Sequence, residues 1–118
     1  MKIIKISDME VMDAGATSDM YIGKVERQVL VDDKIANDLR VSLVTFRPGA
    51  KNKFHIHTYE QILYVLAGKG IVATEKEEYI LTPGMVAFIP AGENHWHGAT
   101  QDSSFSHIVI MTPGKTTF

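Results

Sequence analysis

Short runs rich in Val, Ile, Leu, Phe and Tyr alternate along the chain with turn signals: Arg47-Pro48-Gly49, Gly68-Lys69-Gly70, Thr82-Pro83-Gly84, Pro90-Ala91-Gly92 and Thr112-Pro113-Gly114. Pro fixes φ and Gly supplies positive φ, so these clusters reverse the chain and bound the runs. The pattern predicts strands over 2–6, 22–31, 39–46, 53–57, 61–67, 71–75, 79–81, 85–89, 95–99 and 105–111, about ten in all. No window carries a capped amphipathic helix, and only 8–14 could hold a single turn. Regular short strands with almost no helix predict an all-β fold, an antiparallel sandwich or barrel. The run 62–67 is apolar at both parities, which predicts a strand covered on both faces. One cover would be a partner subunit, so a homodimer is expected. Residues 14–19 (AGATSD) read as a flexible loop and the tail 116–118 as a fraying end.

Composition narrows this picture. The chain has 118 residues, enough for one core, so a single domain over 1–118 is expected. The formal net charge is −2, with no long run of either sign, which gives no electrostatic footprint for nucleic acid or an anionic membrane. The first residues, MKIIKISDME, are too short an apolar stretch for a signal peptide, and the expectation is a soluble, cytoplasmic protein. Cys is absent, which excludes disulfides, thiolate metal sites and a cysteine nucleophile. Against that absence stand five His, all between His55 and His107.

His55 and His57 lie two apart. On a helix that spacing points side chains about 200° apart, whereas on a strand it places them on one face about 6.5 to 7 Å from each other. Two imidazoles on one face can converge on a metal at about 2.1 Å. A continuous strand would carry Gln61 about 13 Å beyond His57, but a tight loop at Thr58, Tyr59 and Glu60 would bring it back opposite the pair. Glu60 is the competing ligand from the same loop. After the Pro-x-Gly turn at Pro90, His95 and His97 again share a face, and His95 could reach the same ion. His107 lies in a fourth run on one face with Phe105, Val109 and Met111. Clustering of this kind points to a metal site rather than to unrelated core histidines.

The residues resemble the cupin superfamily, small jelly-roll β-barrels with two signature stretches. The first runs here from Gly49 through His55, His57 and Gln61 to Gly68; the second runs from Gly84 through Pro90 and Gly92 to His95 and Ala99. Together they place core metal motifs over 49–68 and 84–99. Two positions depart from the pattern: Gln61 stands where the motif has Glu, and Ala99 where it has Asn. With Gln61, His97 and His107, the chain is similar to a narrower group of small single-domain cupins that includes manganese-dependent hydroxynitrile lyases and cupins associated with carboxymuconolactone decarboxylases. That resemblance implies His55, His57, Gln61 and His95 as metal ligands, with His97 and His107 beside them, and Asn52 as a polar pocket residue.

Three imidazoles and an amide are neutral, so a divalent ion would keep its full charge and act as a strong Lewis acid. The nitrogen and oxygen donors suit Mn, Fe, Co, Ni or Zn, with Mn or Fe favoured by the resemblance. His97 is the expected acid–base group, with His107 sharing a proton or orienting a substrate oxygen. Leu63, Phe88, Phe105 and Val109 are expected to line the substrate pocket, together with Val65 and Met111. The expected activity is lyase-type chemistry on a small hydroxy or carbonyl compound. The alternatives are a dioxygenase acting on a chelating enol or catechol, and a non-catalytic module binding a sugar or acid.

Overall fold

The computed structural model describes residues 1–118. Its strands are β1 (Met12–Asp13), β2 (Tyr21–Ile22), β3 (Val25–Val31), β4 (Arg40–Phe46), β5 (Lys51–Asn52), β6 (Ile56–His57), β7 (Gln61–Gly68), β8 (Gly70–Ala73), β9 (Glu78–Leu81), β10 (Val86–Ile89), β11 (Trp96–Ala99), β12 (Phe105–Met111) and β13 (Thr116–Thr117). A six-stranded sheet in the order β1-β3-β4-β12-β7-β10 faces a five-stranded sheet in the order β2-β5-β11-β8-β9, and β13 pairs with β6. The strand pairs are antiparallel, as the turn-punctuated pattern predicts. Helix is confined to two 3-10 turns, Ile6–Asp8 and Ala14–Ala16. No helix is long and apolar enough to cross a membrane.

Strand parity decides what the interior contains. Ser42, Val44 and Phe46 on β4, Gln61, Leu63 and Val65 on β7, and Phe105, His107 and Val109 on β12 are buried at alternate positions. Phe46, Leu63 and Phe105 have no exposed surface, and the rings of Phe46 and Phe105 stack with centroids 6.2 Å apart. The interior is therefore divided: an apolar floor at one end and Asn52 with the histidines at the other.

Several elements differ from the sequence expectation. Residues 2–6 form no strand; the chain turns at Ile6–Asp8 instead, where Gln28 Nε2 donates to the carbonyls of Ile6 and Met9. The run 22–31 is split at Gly23, whose φ of +82° turns the chain from β2 in the five-stranded sheet to β3 in the six-stranded one. Within 53–57 only Ile56–His57 is strand, while His55 makes an isolated antiparallel bridge to His95. The tail does not fray, because Thr116 and Thr117 pair with His57 and Ile56. Residues Ala14–Ala16 form a turn whose Gly15 N–H donates to the Asp13 side chain. The outward residues of β7, Ile62, Tyr64 and Leu66, are exposed, so the second cover expected for this strand does not come from the chain itself.

Gly68 carries the sharp turn from β7 to β8. Its φ is +79°, and an added Cβ would fall on the Ser104 carbonyl, which accepts the Lys69 N–H of the same turn. Gly68→Ala is expected to destabilise the protein by at least about 2 kcal/mol, since strain at positive φ adds to a backbone clash. A urea unfolding midpoint measures it; an unchanged midpoint would mean that the turn relaxes freely.

Candidate metal centre

The site is assembled on one backbone bridge. His55 N–H donates to the His95 carbonyl at 2.9 Å and His95 N–H donates back to His55 at 3.1 Å, leaving the two rings with centroids 4.2 Å apart. His57, one strand period further on, has its ring centroid 4.7 Å from that of His55 and 5.3 Å from that of His95. The loop at Thr58, Tyr59 and Glu60 returns the chain so that β7 begins with Gln61 buried, while Glu60 is exposed. Of the two competing side chains from that loop, the interior receives Gln61.

The far side of each ring is tied down. His55 Nδ1–H donates to the Lys53 carbonyl at 2.7 Å, and His95 Nδ1–H donates to the Glu93 carbonyl at 2.9 Å. A carbonyl only accepts, so both rings carry their proton on Nδ1 and present a lone pair at Nε2. His57 Nδ1 is bonded to Thr116 Oγ1 at 2.8 Å, and the Tyr59 ring stacks on His57 at 4.6 Å. His57 Nε2, His95 Nε2 and Gln61 Oε1 are buried with no hydrogen-bond partner. Leaving such atoms unpaired costs about 1–3 kcal/mol each, a pattern expected of atoms that serve a ligand.

By distance alone the group that could hold a metal is His55, His95 and His97, whose ligand atoms lie within 4.8 Å of one another. Hydrogen bonding separates His97 from the other two. Asn52 Oδ1 accepts the His97 backbone N–H at 2.8 Å, which turns the amide so that Nδ2 faces His97 Nε2 at 3.2 Å. An amide N–H there makes Nε2 the acceptor and places the ring proton on Nδ1, which has no partner. His107 sits beyond it, 5.1 Å away by ring centroids, with neither nitrogen hydrogen-bonded.

Burial pushes all five imidazoles down from their ordinary 6.5. It takes His55, His57 and His107 to about 4, His95 lower than usual and His97 well below, with neighbouring rings adding to the effect at His55, His57 and His97. All five are neutral near pH 7, the form that binds metal or exchanges a proton.

His95 lines a groove between β9 and β10, whereas His55, His57, His97, His107 and Gln61 open on a neighbouring cavity of about 210 Å³. Asn52, Val109 and Met111 line it as expected, together with Tyr21, Arg27, Tyr59 and Thr116, which sequence reasoning did not single out. Arg27 shares inward parity with Val25 on β3, donates from Nε to the buried Ser42 Oγ at 3.2 Å, and is the one formally charged residue in the lining. That parity was readable in the sequence. Thr116 gave no signal, since its partner is 59 residues away. Leu63, Val65 and Phe105 are not in the lining; they belong to the apolar floor below it. Phe88 is a parity error: β10 turns Ile89 inward opposite Gln61, and Phe88 faces outward, 56% exposed.

The family model described as a cupin domain matches residues 42–111. Over 71 residues the chain is 41% identical to the (R)-mandelonitrile lyase of Granulicella tundricola, a stretch covering 58% of this chain and 53% of that protein. Over 88 residues it is 26% identical to the transcriptional activator RhaS of Escherichia fergusonii, covering 75% of this chain and 32% of the activator. The chain thus spans about half, or less, of the curated relatives it matches. Among solved structures, a cupin-like protein from Thermotoga maritima superposes with a TM-score of 0.81 at 36% identity, covering 86% of this chain and 80% of that one. The polyketide cyclase RemF of Streptomyces resistomycificus superposes with a TM-score of 0.86 at 20% identity, covering 100% of this chain and 86% of that one, a likeness of fold alone.

The lowered imidazole pKa values predict acid sensitivity. Their unfolded value is 6.5, so the neutral buried forms contribute fully above about pH 6.5 and lose that contribution as pH falls toward the folded values near 4, where the unfolded chain takes up the protons. Thermal melts of chelator-treated protein should show Tm falling steadily from pH 7 to pH 4.5. A flat Tm over that range would contradict the burial of neutral rings.

Proposed function

The chain belongs to the cupin family, and from that premise we propose that it is a metal-dependent lyase acting on a small hydroxy or carbonyl compound. The observation that carries the reading is the donor set: Nε2 of His55, His57 and His95 and Oε1 of Gln61, anchored from behind or buried without a partner. These four would hold one divalent ion, with manganese or iron favoured, and the 41% identity to an (R)-mandelonitrile lyase supports the class of reaction. Such an ion supplies Lewis acidity, making a substrate hydroxyl more acidic and stabilising the carbonyl oxygen that forms.

The remaining groups divide the proton work. His107, with both nitrogens free of protein partners, accepts the substrate hydroxyl proton. In a cyanohydrin the carbon–carbon bond to the nitrile then breaks, its electron pair leaves with cyanide, the carbonyl forms, and His107 returns its proton to the cyanide. His97 does not act as the base in this scheme, because Asn52 occupies its Nε2; its Nδ1–H hydrogen-bonds the departing anion. Arg27 adds a fixed positive charge to the same wall. A cavity of about 210 Å³ accommodates a substrate somewhat larger than benzene, which fills an apolar cavity of about 150 Å³.

Metal analysis combined with a cyanohydrin assay tests this reading. The metal-loaded protein should convert mandelonitrile to benzaldehyde; His107→Ala should keep the metal and lose about 10²–10⁴-fold in kcat. His55→Ala should lose the metal, and Gln61→Ala should weaken it where Glu60→Ala does not. Failure of fully loaded protein to cleave any of a panel of aromatic and aliphatic cyanohydrins would sink the lyase assignment.

Thr116→Val removes the hydroxyl behind His57 while keeping the side-chain shape. Metal affinity, measured by competition with a chelating dye, is expected to fall about 10–100-fold with the fold intact. Unchanged affinity would mean that the Thr116 hydroxyl does not serve the centre.

A further inference from the structure

Arg27 is the one group in the cavity wall whose charge nothing answers. On β3 it stands opposite Met12 of β1 and Val44 of β4, half-buried, and its hydrogen bond within the protein runs from Nε to Ser42 Oγ. Both Nη groups of the guanidinium are left over. The acidic side chains beside it on β1 and β3 are committed elsewhere: Asp13 accepts the Gly15 N–H, and Glu26 is paired with Arg47.

Ser42 orients the guanidinium without neutralising it. Ser42 is 1% exposed, and by holding Nε it leaves the Nη edge, the one that grips a carboxylate through two parallel hydrogen bonds. Tyr21 stands in the same lining, close enough for the charge of Arg27 to act on its hydroxyl, and burial keeps that hydroxyl protonated as a further donor. The histidines and Gln61 are neutral and no Asp or Glu lines the cavity, so no carboxylate of the protein competes for the place. A compact space of about 210 Å³ is about 7 Å across, which lets one small molecule reach from Arg27 to the histidines.

We propose that the cavity takes a small hydroxy or oxo acid, its carboxylate on the Nη edge of Arg27 and its hydroxyl or carbonyl oxygen at the histidine end. The inference rests on the reading of the histidine cluster as the reacting end, and it narrows the substrate class from neutral compounds to anions. A nitrile or an aldehyde accepts one hydrogen bond from Arg27 but brings no charge to meet it. A carboxylate matches both the sign and the spacing of the two Nη groups.

Calorimetric titration of the chelator-treated protein near pH 8 tests the proposal, with β-hydroxybutyrate and its uncharged twin β-hydroxybutyramide as probes. The acid should bind about tenfold or more tighter than the amide. Arg27→Gln should erase that difference and leave the amide affinity unchanged. An acid bound no tighter than the amide by the native protein would overturn the proposal, and so would an Arg27→Gln variant that keeps the preference. Should Arg27→Gln not fold, Arg27→Lys decides: it keeps the charge but loses the two-pronged edge, so the acid should weaken and the amide should not, and an unchanged acid affinity counts against the site. The measurement needs neither metal nor turnover, so a failed carboxylate site and a failed lyase assignment are told apart.

Discussion

Two backbone hydrogen bonds between His55 and His95 set the position of the buried histidine cluster. Neither residue sits in a regular strand, yet the reciprocal pair fixes their Cα atoms opposite each other as firmly as a ladder would. From that point, strand parity carries His57 in one direction and His97 in the other. The carbonyls of Lys53 and Glu93, each two residues back along the chain, then fix both rings and their protons. Metal-binding side chains are ordinarily expensive to orient, because each rotamer must be frozen. Here the orientation follows from the same local backbone geometry that makes the turn.

The electrostatic consequence is a buried cluster of neutral bases. No Asp or Glu lines the cavity, and Arg27 is held by a serine hydroxyl rather than a carboxylate. A cluster of this composition has donor lone pairs but no compensating negative charge, so whatever cation it holds keeps its charge for a substrate oxygen. A glutamate at position 61 would remove that property with little change of shape. In the proposed centre Gln61, a departure from the common cupin motif, would therefore set the charge of the site as well as complete its ligand set.

Fold class and the shared inward face of each histidine pair were readable from periodicity, because a two-residue period on strands is a strong local signal. His55, His57, His95 and His97 alternate, and Gln61 follows a loop just long enough to reverse direction. What escaped the reading was non-local. Thr116 reaches His57 through a pairing between chain segments 59 residues apart, from a tail whose composition suggests fraying. Phe88 was misplaced by one position because β10 is apolar on both faces, so alternation could not decide its parity; the register Ile89 opposite Gln61 decides it. Leu63 and Phe105 were placed on the correct face but at the wrong depth, since parity fixes which side a residue faces and not how far along the interior it lies.

The same ambiguity of parity has a second meaning. A strand that is apolar on both faces is either misread or covered twice, and β7 distinguishes the two. Leu63 and Val65 fill the interior, while Ile62 and Tyr64 stand in cross-strand rows with Phe88, Val86, Ile108 and Ile110 on the outer face. Scattered apolar residues on a surface need no explanation, but aligned rows across three neighbouring strands form a contiguous patch beside an open sheet edge. Such a face would template aggregation unless something specific occupies it, and charges or prolines, the usual protection of an edge, are missing from Val86–Ile89. The sequence thus retains apolar residues at outward positions of β7, β10 and β12, where a sheet with one face in water ordinarily alternates to polar ones.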